Sequence, residues 1–359
     1  MKSGSEKLAD ARDAIVALSR QSTVGRAIRL ELENLGASVE TIRVRMAEIE
    51  DLYAIDFGSD IDDEIETAAR LWREAPAGRI PGPDLFPIRR ASPLLGTLFR
   101  NGIDLKNARK FSDAEMDLAR WIGTRFENMS DLLRALRREK KNDKDPSEWS
   151  ALVPMRKSLR EGLLGLVDRG IIEGRRIFCK TPKNNWAPFD LNRLRDDPET
   201  MLLIVYEKED HNALAFMRGE WLNCYVYGII EDQLSRHDVA FELYTDVSYS
   251  APPDVIRAAS EFDVVGRFRD TVICVECKSG RLDPAHGAFE DLVQRTEGVR
   301  TVLSSMGESE THFLFFVVYD PVLNTEEEMK RRLEPHRIQP LRPNDVRSVM
   351  AKVLEQSLG

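Results

Sequence analysis

Apolar positions recur every three or four residues along much of the N-terminal half, and this spacing predicts helices. It is present at residues 8–18 and 39–52, and it returns at 116–126 and 132–136. Charged residues lie between the apolar ones, so each helix should carry an apolar stripe that packs against another helix or a second copy of the chain. We therefore interpret residues 1–75 as a helical region.

Prolines and glycines are dense between residues 76 and 92. Proline fixes φ and removes a backbone donor, so this density predicts an absence of regular structure. We assign residues 76–150 to a Pro/Gly-rich linker followed by helices.

A different pattern follows at residues 159–180. A helical spacing from Leu159 to Val167 ends at Gly170, and residues 171–178 then resemble a short basic hairpin. Many winged helix-turn-helix units end in this way, although the pattern also occurs in other folds. We assign residues 151–200 to a winged-helix-like module.

The C-terminal part alternates between helical spacing and short apolar runs. In chain order it predicts a helix, three strands, a helix and a strand at residues 218–236, 239–249, 261–268, 271–278, 284–305 and 312–319. The predicted order αβββαβ indicates an α+β or α/β fold for residues 201–359.

Charged residues cap one of these strands. The predicted strand at 271–278 begins with an apolar run and ends with Glu276, Cys277 and Lys278. Asp263 lies near the start of the preceding strand. Strand side chains alternate, so Glu276 and Lys278 should share one face, and Asp263 can approach them. Two carboxylates and a main-chain carbonyl form an oxygen site that suits Mg²⁺ or Mn²⁺, and a lysine beside it can serve the attacking water. The alternative is a structural Glu276–Lys278 ion pair at the strand end. In either case we expect the strand-end carboxylates to be exposed.

At these residues the sequence resembles the PD-(D/E)XK nuclease superfamily. A closer resemblance is to the nuclease domain of CRISPR-associated, cyclic-oligoadenylate-activated ancillary nucleases, carried by "GEWLNCYVYGII" and "EFDVVGRFRDTVICVECKSG". It spans residues 150–320, and it implies a restriction-endonuclease-like core within residues 201–359. It further implies that Asp263, Glu276 and the Cys277 carbonyl bind Mg²⁺ or Mn²⁺ and that Lys278 serves the water. The implied activity is cleavage of nucleic acid, with DNA favoured over RNA, in antiviral defence.

Two departures from the family pattern are visible. The family helix usually reads Gly-x-Trp-Leu-Glu, whereas this chain has Asn223 at the glutamate position. Glu220, one turn earlier on the same helix face, is a geometrically plausible catalytic substitute. Residues 1–150 show no recognisable sensor domain, so the family's regulatory ligand is not transferred. The alternative function is a catalytically impaired nuclease-fold protein that binds nucleic acid or regulates a partner.

Charge is unevenly distributed. The net charge is −9, but residues 131–195 carry 16 Lys and Arg against 9 Asp and Glu. Such a basic segment in an acidic protein can contact phosphates, and we select Arg175, Arg176, Lys180 and Lys183 as candidate nucleic-acid contacts. An ordinary solvated surface is the alternative.

The remaining features are less specific. Cys274 and Cys277 lie three apart in one predicted strand, so they should point to opposite faces, which disfavours a zinc site. Gln294, on the helix after the motif, could reach the site or lie exposed. No apolar run approaches the length of a membrane span and the N-terminus lacks a signal-peptide pattern, so we expect a soluble, cytoplasmic protein. The N-terminal stripes predict a homodimer or a contact with a protein partner.

Overall fold

The computed structural model is a mixed α/β protein with two β-sheets. It describes residues 4–19, 35, 38–40, 42, 61–137, 140–141, 148–181, 183, 185–207, 211–237, 239–250, 260–282, 287–304, 312–321 and 323–358. The strands in these ranges are β1 Gly78–Pro81, β2 Asp104–Lys110, β3 Lys140–Lys141, β4 Glu148–Met155, β5 Ile177–Lys180, β6 Trp186–Pro188, β7 Asp197–Glu207, β8 Phe241–Ser250, β9 Ser260–Phe268, β10 Thr271–Lys278, β11 His312–Tyr319 and β12 Ile338–Leu341. The α-helices are α1 Gly4–Ser19, α2 Ile61–Glu74, α3 Phe86–Ala91, α4 Pro93–Arg100, α5 Asp113–Gly123, α6 Phe126–Arg137, α7 Leu159–Asp168, α8 His211–Arg218, α9 Glu220–Arg236, α10 Ala288–Ser304, α11 Glu326–Leu333 and α12 Val346–Leu358.

The larger sheet has seven strands in the order β1-β2-β8-β9-β10-β11-β12. Pairing is antiparallel from β1 to β10 and parallel from β10 through β11 to β12, so the sheet is mixed. Apolar residues cover both of its faces. One layer contains Trp221 and Val226 of α9, and the other contains Phe289 and Leu292 of α10.

The predicted order αβββαβ is confirmed by α9, β8, β9, β10, α10 and β11. The bounds of β10 and β11 coincide with the predicted strands. Both strands are buried over most of their length, which explains why their sequences are apolar runs.

The prediction that residues 76–92 lack regular structure is wrong. They contain β1 and α3, and β1 joins the seven-stranded sheet through β2. Proline is tolerated in this segment for two reasons. Pro81 ends an edge strand, and Pro87 lies in the first turn of α3, where a missing N–H breaks no helical bond. The segment that we interpreted as a linker is therefore part of the sheet.

The smaller sheet is antiparallel in the order β3-β4-β7-β5-β6. Helix α7 lies where the spacing predicted it, but the predicted hairpin over 171–178 is wrong. Gly170 has a φ of +67° and ends the helix, and the Ile171 amide donates back to the Leu166 carbonyl. Ile171 and Ile172 are buried as the chain turns back onto the core, and the hairpin is formed by β5 and β6 instead. Strand β7 crosses the boundary that we placed at residue 200.

In the N-terminal region, α1 covers the predicted helix at 8–18. The second predicted helix, 39–52, falls outside the described residues except for positions 39, 40 and 42, which are helical. None of the helices built by the described residues is both long enough and apolar enough to cross a bilayer.

Candidate active site

The candidate site forms where β9 and β10 stop pairing. Their register ends at Val264 opposite Val275, and the next residues are Asp263 and Glu276. The Cys277 amide donates to Asp263 Oδ2 over 2.7 Å. This carboxylate thus accepts the hydrogen bond that a main-chain carbonyl of β9 would accept if the two strands stayed paired. An N–H and C=O of one strand residue point to the same edge, and the Cys277 carbonyl therefore faces the β9 side, where Asp263 lies.

Lys278 joins the two carboxylates. Its Nζ lies 2.6 Å from Glu276 Oε2 and 3.6 Å from Asp263 Oδ2. The shared face of Glu276 and Lys278, predicted from strand alternation, is thus confirmed by their direct contact. The structure brings Asp263, Glu276, Cys277 and Lys278 together.

The site is more buried than the sequence suggested. The side chains of Asp263, Glu276 and Lys278 are 14, 17 and 24 % exposed. Our expectation of exposed strand-end carboxylates is wrong because side chains from α9 and α10 reach these groups.

Burial governs the electrostatics of the site. It raises the pKa of Asp263, the Glu276 charge raises that pKa further, and the Lys278 charge opposes both effects. Burial lowers the pKa of Lys278, but the neighbouring Glu276 and Asp263 carboxylates outweigh it and leave the pKa raised. Lys278 is therefore a cation in this site, and it balances one of the two carboxylates.

Three further side chains line the site. The sequence places Asn223 at the family's carboxylate position, whereas neither Arg295 nor Asp246 was predicted there. Arg295 of α10 places Nη2 3.5 Å from Glu276 Oε2, whereas its neighbour Gln294 is exposed. Asn223 donates from Nδ2 to Asp246 Oδ1 over 2.6 Å, and the same nitrogen lies 3.5 Å from Asp263 Oδ1. Helical spacing could have indicated Arg295, since it adjoins the buried face of α10. Asp246 lies within an alternating strand and gave no local signal.

Glu220 has a different partner. Its carboxylate lies 2.8 Å from Arg109 Nη1 of β2, and Arg109 also pairs with Glu115. Glu220 is one turn before Asn223 on α9, and its charge contributes to the raised pKa of Asp246, whose largest cause is burial. Within the described residues, Glu220 makes no direct contact with Asp263 or Glu276.

The candidate nucleic-acid contacts lie around the β5–β6 hairpin. Lys180 ends β5 and Lys183 lies in the connecting turn, and both are exposed. Arg176 precedes β5 and places Nε 3.8 Å from Glu173, and the side chain of Arg175 lies outside the described residues. Trp186 pairs with Lys180 across the hairpin and is 40 % exposed.

Several of the other cations in the described part of residues 131–195 have acidic partners. Ion pairs connect arginines of this segment to nearby acids: Arg156–Asp131, Arg169–Asp117 and Arg195–Asp197. Among these described positions, fewer cations are available to a phosphate backbone than the sequence count indicates.

The donors at the site fit a hard divalent cation. Nowhere in the described ranges are three or more His, Cys, Asp and Glu side chains arranged to hold a metal ion. The donors at the end of β10 are instead two carboxylates and the Cys277 carbonyl, which are the oxygen ligands preferred by Mg²⁺ and Mn²⁺. A divalent cation would also offset the repulsion between Asp263 and Glu276 that contributes to the raised pKa of Asp263.

The two cysteines of the apparent CxxC pattern do not share a face. Cys274 is buried in the apolar layer that contains α10, whereas Cys277 packs against the layer that contains α9. Their predicted placement on opposite faces of β10 is confirmed.

Comparisons with known proteins include a distant structural similarity. No protein-family model matches the chain, and no curated protein matches it. Among solved structures, the crystal structure of protein VC1899 from Vibrio cholerae is similar with a TM-score of 0.45 and 13 % identity. The alignment covers 73 % of this chain and 60 % of that one, so the chain spans less than two thirds of the length of VC1899.

Proposed function

We propose that this protein is a divalent-metal-dependent nuclease that hydrolyses phosphodiester bonds of nucleic acid, with DNA as the favoured substrate. The observation that carries the proposal is the contact of Lys278 Nζ with Glu276 at 2.6 Å and its approach to Asp263 at 3.6 Å, beside the end of paired strands. In this proposal the elements from α9 to β12 form a restriction-endonuclease-like core on the seven-stranded sheet, and α7 with the β5–β6 hairpin belongs to a winged-helix-like module.

Asp263, Glu276 and the Cys277 carbonyl would hold the Mg²⁺ or Mn²⁺. When bound, such an ion supplies Lewis-acid polarisation of a phosphoryl oxygen and lowers the pKa of water. The two carboxylates bind through oxygen, and their partial burial strengthens their electrostatic interaction with a cation.

Lys278 contributes a positive charge at the place where negative charge develops on the phosphate. Its Nζ can donate three hydrogen bonds, of which one goes to Glu276, so others remain to orient the attacking water or a phosphate oxygen. Arg295 provides a second cation near the same oxygen, Glu276 Oε2, and it does so from a helix rather than a strand. The pair places positive charge around the acidic centre, as an anionic substrate requires.

A cleavage assay tests this function. Purified protein is incubated with plasmid, linear duplex, single-stranded DNA and RNA, in Mg²⁺, Mn²⁺ or a chelator. Cleavage that requires metal and disappears in Glu276→Gln supports the proposal, with Asp270→Asn as the matched control at the opposite end of the same hairpin. Cleavage in chelator equal to that in metal, or cleavage by Glu276→Gln equal to that by wild type, would contradict the proposal.

A second candidate is a catalytically impaired nuclease-fold protein that binds nucleic acid or regulates a partner. It is favoured by Asn223 at the family's carboxylate position and by the engagement of Glu220 with Arg109. The same assay separates the two candidates: retention of duplex without cleavage in any metal, measured by a mobility shift, favours the second.

A further inference from the structure

Asp246 lies opposite Asp263 in the sheet. The pairs Thr245–Val264 and Val247–Phe262 flank it in the β8–β9 register, so Asp246 and Asp263 occupy the intervening positions. The backbone at Asp246 has a φ of +48°, in the left-handed region that few residues other than glycine, asparagine and aspartate adopt. An uncommon backbone conformation is therefore maintained beside the candidate site.

Asp246 is an unusual carboxylate in its surroundings. It is 3 % exposed, and within the described residues its direct partner is the amide of Asn223, with no cationic side chain in ion-pair contact. The charge of Arg109 favours the ionised form of Asp246 without an ion-pair contact. A buried carboxylate that lacks a direct ion pair costs free energy, so it is a poor choice for stability alone. A role in the adjacent site offers a reason for its presence.

The hydrogen bond between Asn223 and Asp246 determines which end of the amide faces the site. An ionised carboxylate can only accept, so Asn223 must present its NH₂ group to Asp246. The same nitrogen lies 3.5 Å from Asp263 Oδ1, while the Cys277 amide donates to Asp263 Oδ2 over 2.7 Å. The two oxygens of Asp263 therefore face donors from different elements, which restricts rotation of its carboxylate.

We propose that Asp246 is a positioning residue of the candidate active site, which holds the Asn223 amide and through it orients Asp263 to bind the divalent cation. This inference rests on the proposed function. It assigns to strand β8 a supporting carboxylate, at a site where helix α9 carries the neutral Asn223. Partners that orient metal-binding side chains affect affinity strongly, because the ligand geometry depends on them.

The test measures Mn²⁺ affinity of the full chain by titration calorimetry, without nucleic acid. Asp246→Gly removes the carboxylate and suits the positive φ, and Asn223→Ala removes the amide. Each should weaken Mn²⁺ binding by about 10- to 100-fold. The double variant should bind no more weakly than the weaker single variant, because both changes break one chain of contacts.

Asp246→Asn separates positioning from direct metal binding. Asparagine tolerates the left-handed backbone and keeps an oxygen acceptor for Asn223, so most of the Mn²⁺ affinity should be retained. Ser250→Gly, a glycine substitution in the same strand, controls for weakening of β8, and a thermal melt of each variant reports folding.

Three results would overturn the inference: unchanged affinity in Asp246→Gly, additive losses in the double variant, or equal loss in Asp246→Asn and Asp246→Gly. Failure of the proposed function looks different. In that case the wild-type chain shows no Mn²⁺ binding that Glu276→Gln removes, whatever residue occupies position 246.

Discussion

Asp263 has structural as well as chemical contacts. Its carboxylate accepts the Cys277 amide, and its main-chain carbonyl accepts the Thr245 hydroxyl over 2.8 Å. It therefore connects β9 to strands on both sides. Any substitution at this position must be interpreted for its effect on the sheet as well as on the reaction.

The first prediction separates these roles. Asp263→Asn keeps an acceptor for the Cys277 amide but removes the charge that binds a cation, so we expect a folded protein without metal-dependent cleavage. Asp263→Ala also leaves the amide without its acceptor, which should lower the free energy of unfolding by about 1–3 kcal/mol. Denaturant unfolding and a plasmid-cleavage assay measure the two effects. Wild-type cleavage by Asp263→Asn would refute the assignment.

The second prediction concerns Glu220. If it supplies the carboxylate missing at position 223, Glu220→Gln should reduce cleavage chiefly at limiting metal, because saturating metal compensates for a weakened site. Asn223→Glu is not a clean rescue, because it would replace the amide that donates to Asp246 with a second carboxylate. The ion pair with Arg109 provides the control: Arg109→Gln breaks the same pair while it retains the carboxylate. If both variants have equal activity at every Mg²⁺ concentration, Glu220 serves only the ion pair.

At the scale of elements, Glu242 connects β8 to the start of α4. Its buried carboxylate accepts from the Leu94 amide at 2.8 Å and the Tyr244 hydroxyl at 3.0 Å, and it also accepts from Ser92. Burial raises the pKa of Glu242 to about 7, and the hydrogen bonds and the charge of Arg267 only partly offset this effect. The stability that this junction contributes therefore depends on pH.

The third prediction follows from this shift. Between the ordinary pKa of 4.5 and about 7, the folded protein retains a proton that the unfolded chain has lost. Stability contributed by this group is thus present at low pH and is lost as pH rises through 7, by at most about 3 kcal/mol. Between pH 5.5 and 8.5, the free energy of unfolding should fall less in Glu242→Gln than in wild type. The control Glu334→Gln removes an exposed carboxylate, and its free energy of unfolding should fall as much as that of wild type over the same pH range.

The β5–β6 hairpin supports the fourth prediction. If Lys180 and Lys183 contact phosphates, binding should weaken steeply with salt, because each neutralised phosphate releases counterions. Lys180→Glu or Lys183→Glu should reduce the slope of log affinity against log salt by about 0.9 on duplex DNA. Arg176 is a less suitable position, since it already approaches Glu173.

Fluorescence anisotropy over a salt series measures the slope, and Lys352→Glu on α12 is a charge-matched control at an exposed position. A wild-type affinity that does not change with salt would place the nucleic-acid contacts elsewhere on the protein.

At the scale of the whole molecule, the two sheets share one apolar core. Val153 and Ile204 of the smaller sheet belong to the same buried cluster as Val226 of α9 and Val275 of β10. The second apolar layer covers the other face of the larger sheet. The smaller sheet therefore belongs to the same apolar core as the helix that carries Asn223.

The fifth prediction concerns assembly. Leu35 and Ile42 in the N-terminal region are 50 and 53 % exposed, and Arg12 of α1 pairs with Glu40 at 2.9 Å, so this region presents apolar side chains beside charged ones. Cutting both strands of a duplex calls for two sites, and two-fold dimers are the commonest assembly. We expect a homodimer by light scattering at micromolar concentration.

Ile42→Lys should weaken this dimer, whereas Leu152→Lys, at an equally exposed apolar residue of β4, should leave it intact. A monomer that stays unchanged when DNA and Mg²⁺ are added would contradict the prediction and favour an enzyme that cuts single strands.

The sequence by itself determined the αβββαβ elements and the meeting of Glu276 with Lys278. Both depend on periodicity between near neighbours: alternation along a strand places residues two apart on one face, whatever the rest of the chain does. The pattern also placed Asp263 on the adjacent strand. It could not indicate the burial of these groups, because burial depends on the helices that cover them.

Tertiary structure alone decided the parts that join distant segments. Strand β2 pairs with β8, and Glu242 meets Leu94 from 148 positions away. Asn223 reaches Asp246 and Asp263 only because α9 crosses the sheet at that point. Such pairings arise because remote segments bury apolar surface against each other. No local periodicity in the sequence indicates which segments will do so. The prolines of residues 76–92 therefore indicated a linker, whereas the sheet edge and the first turn of a helix accommodated them.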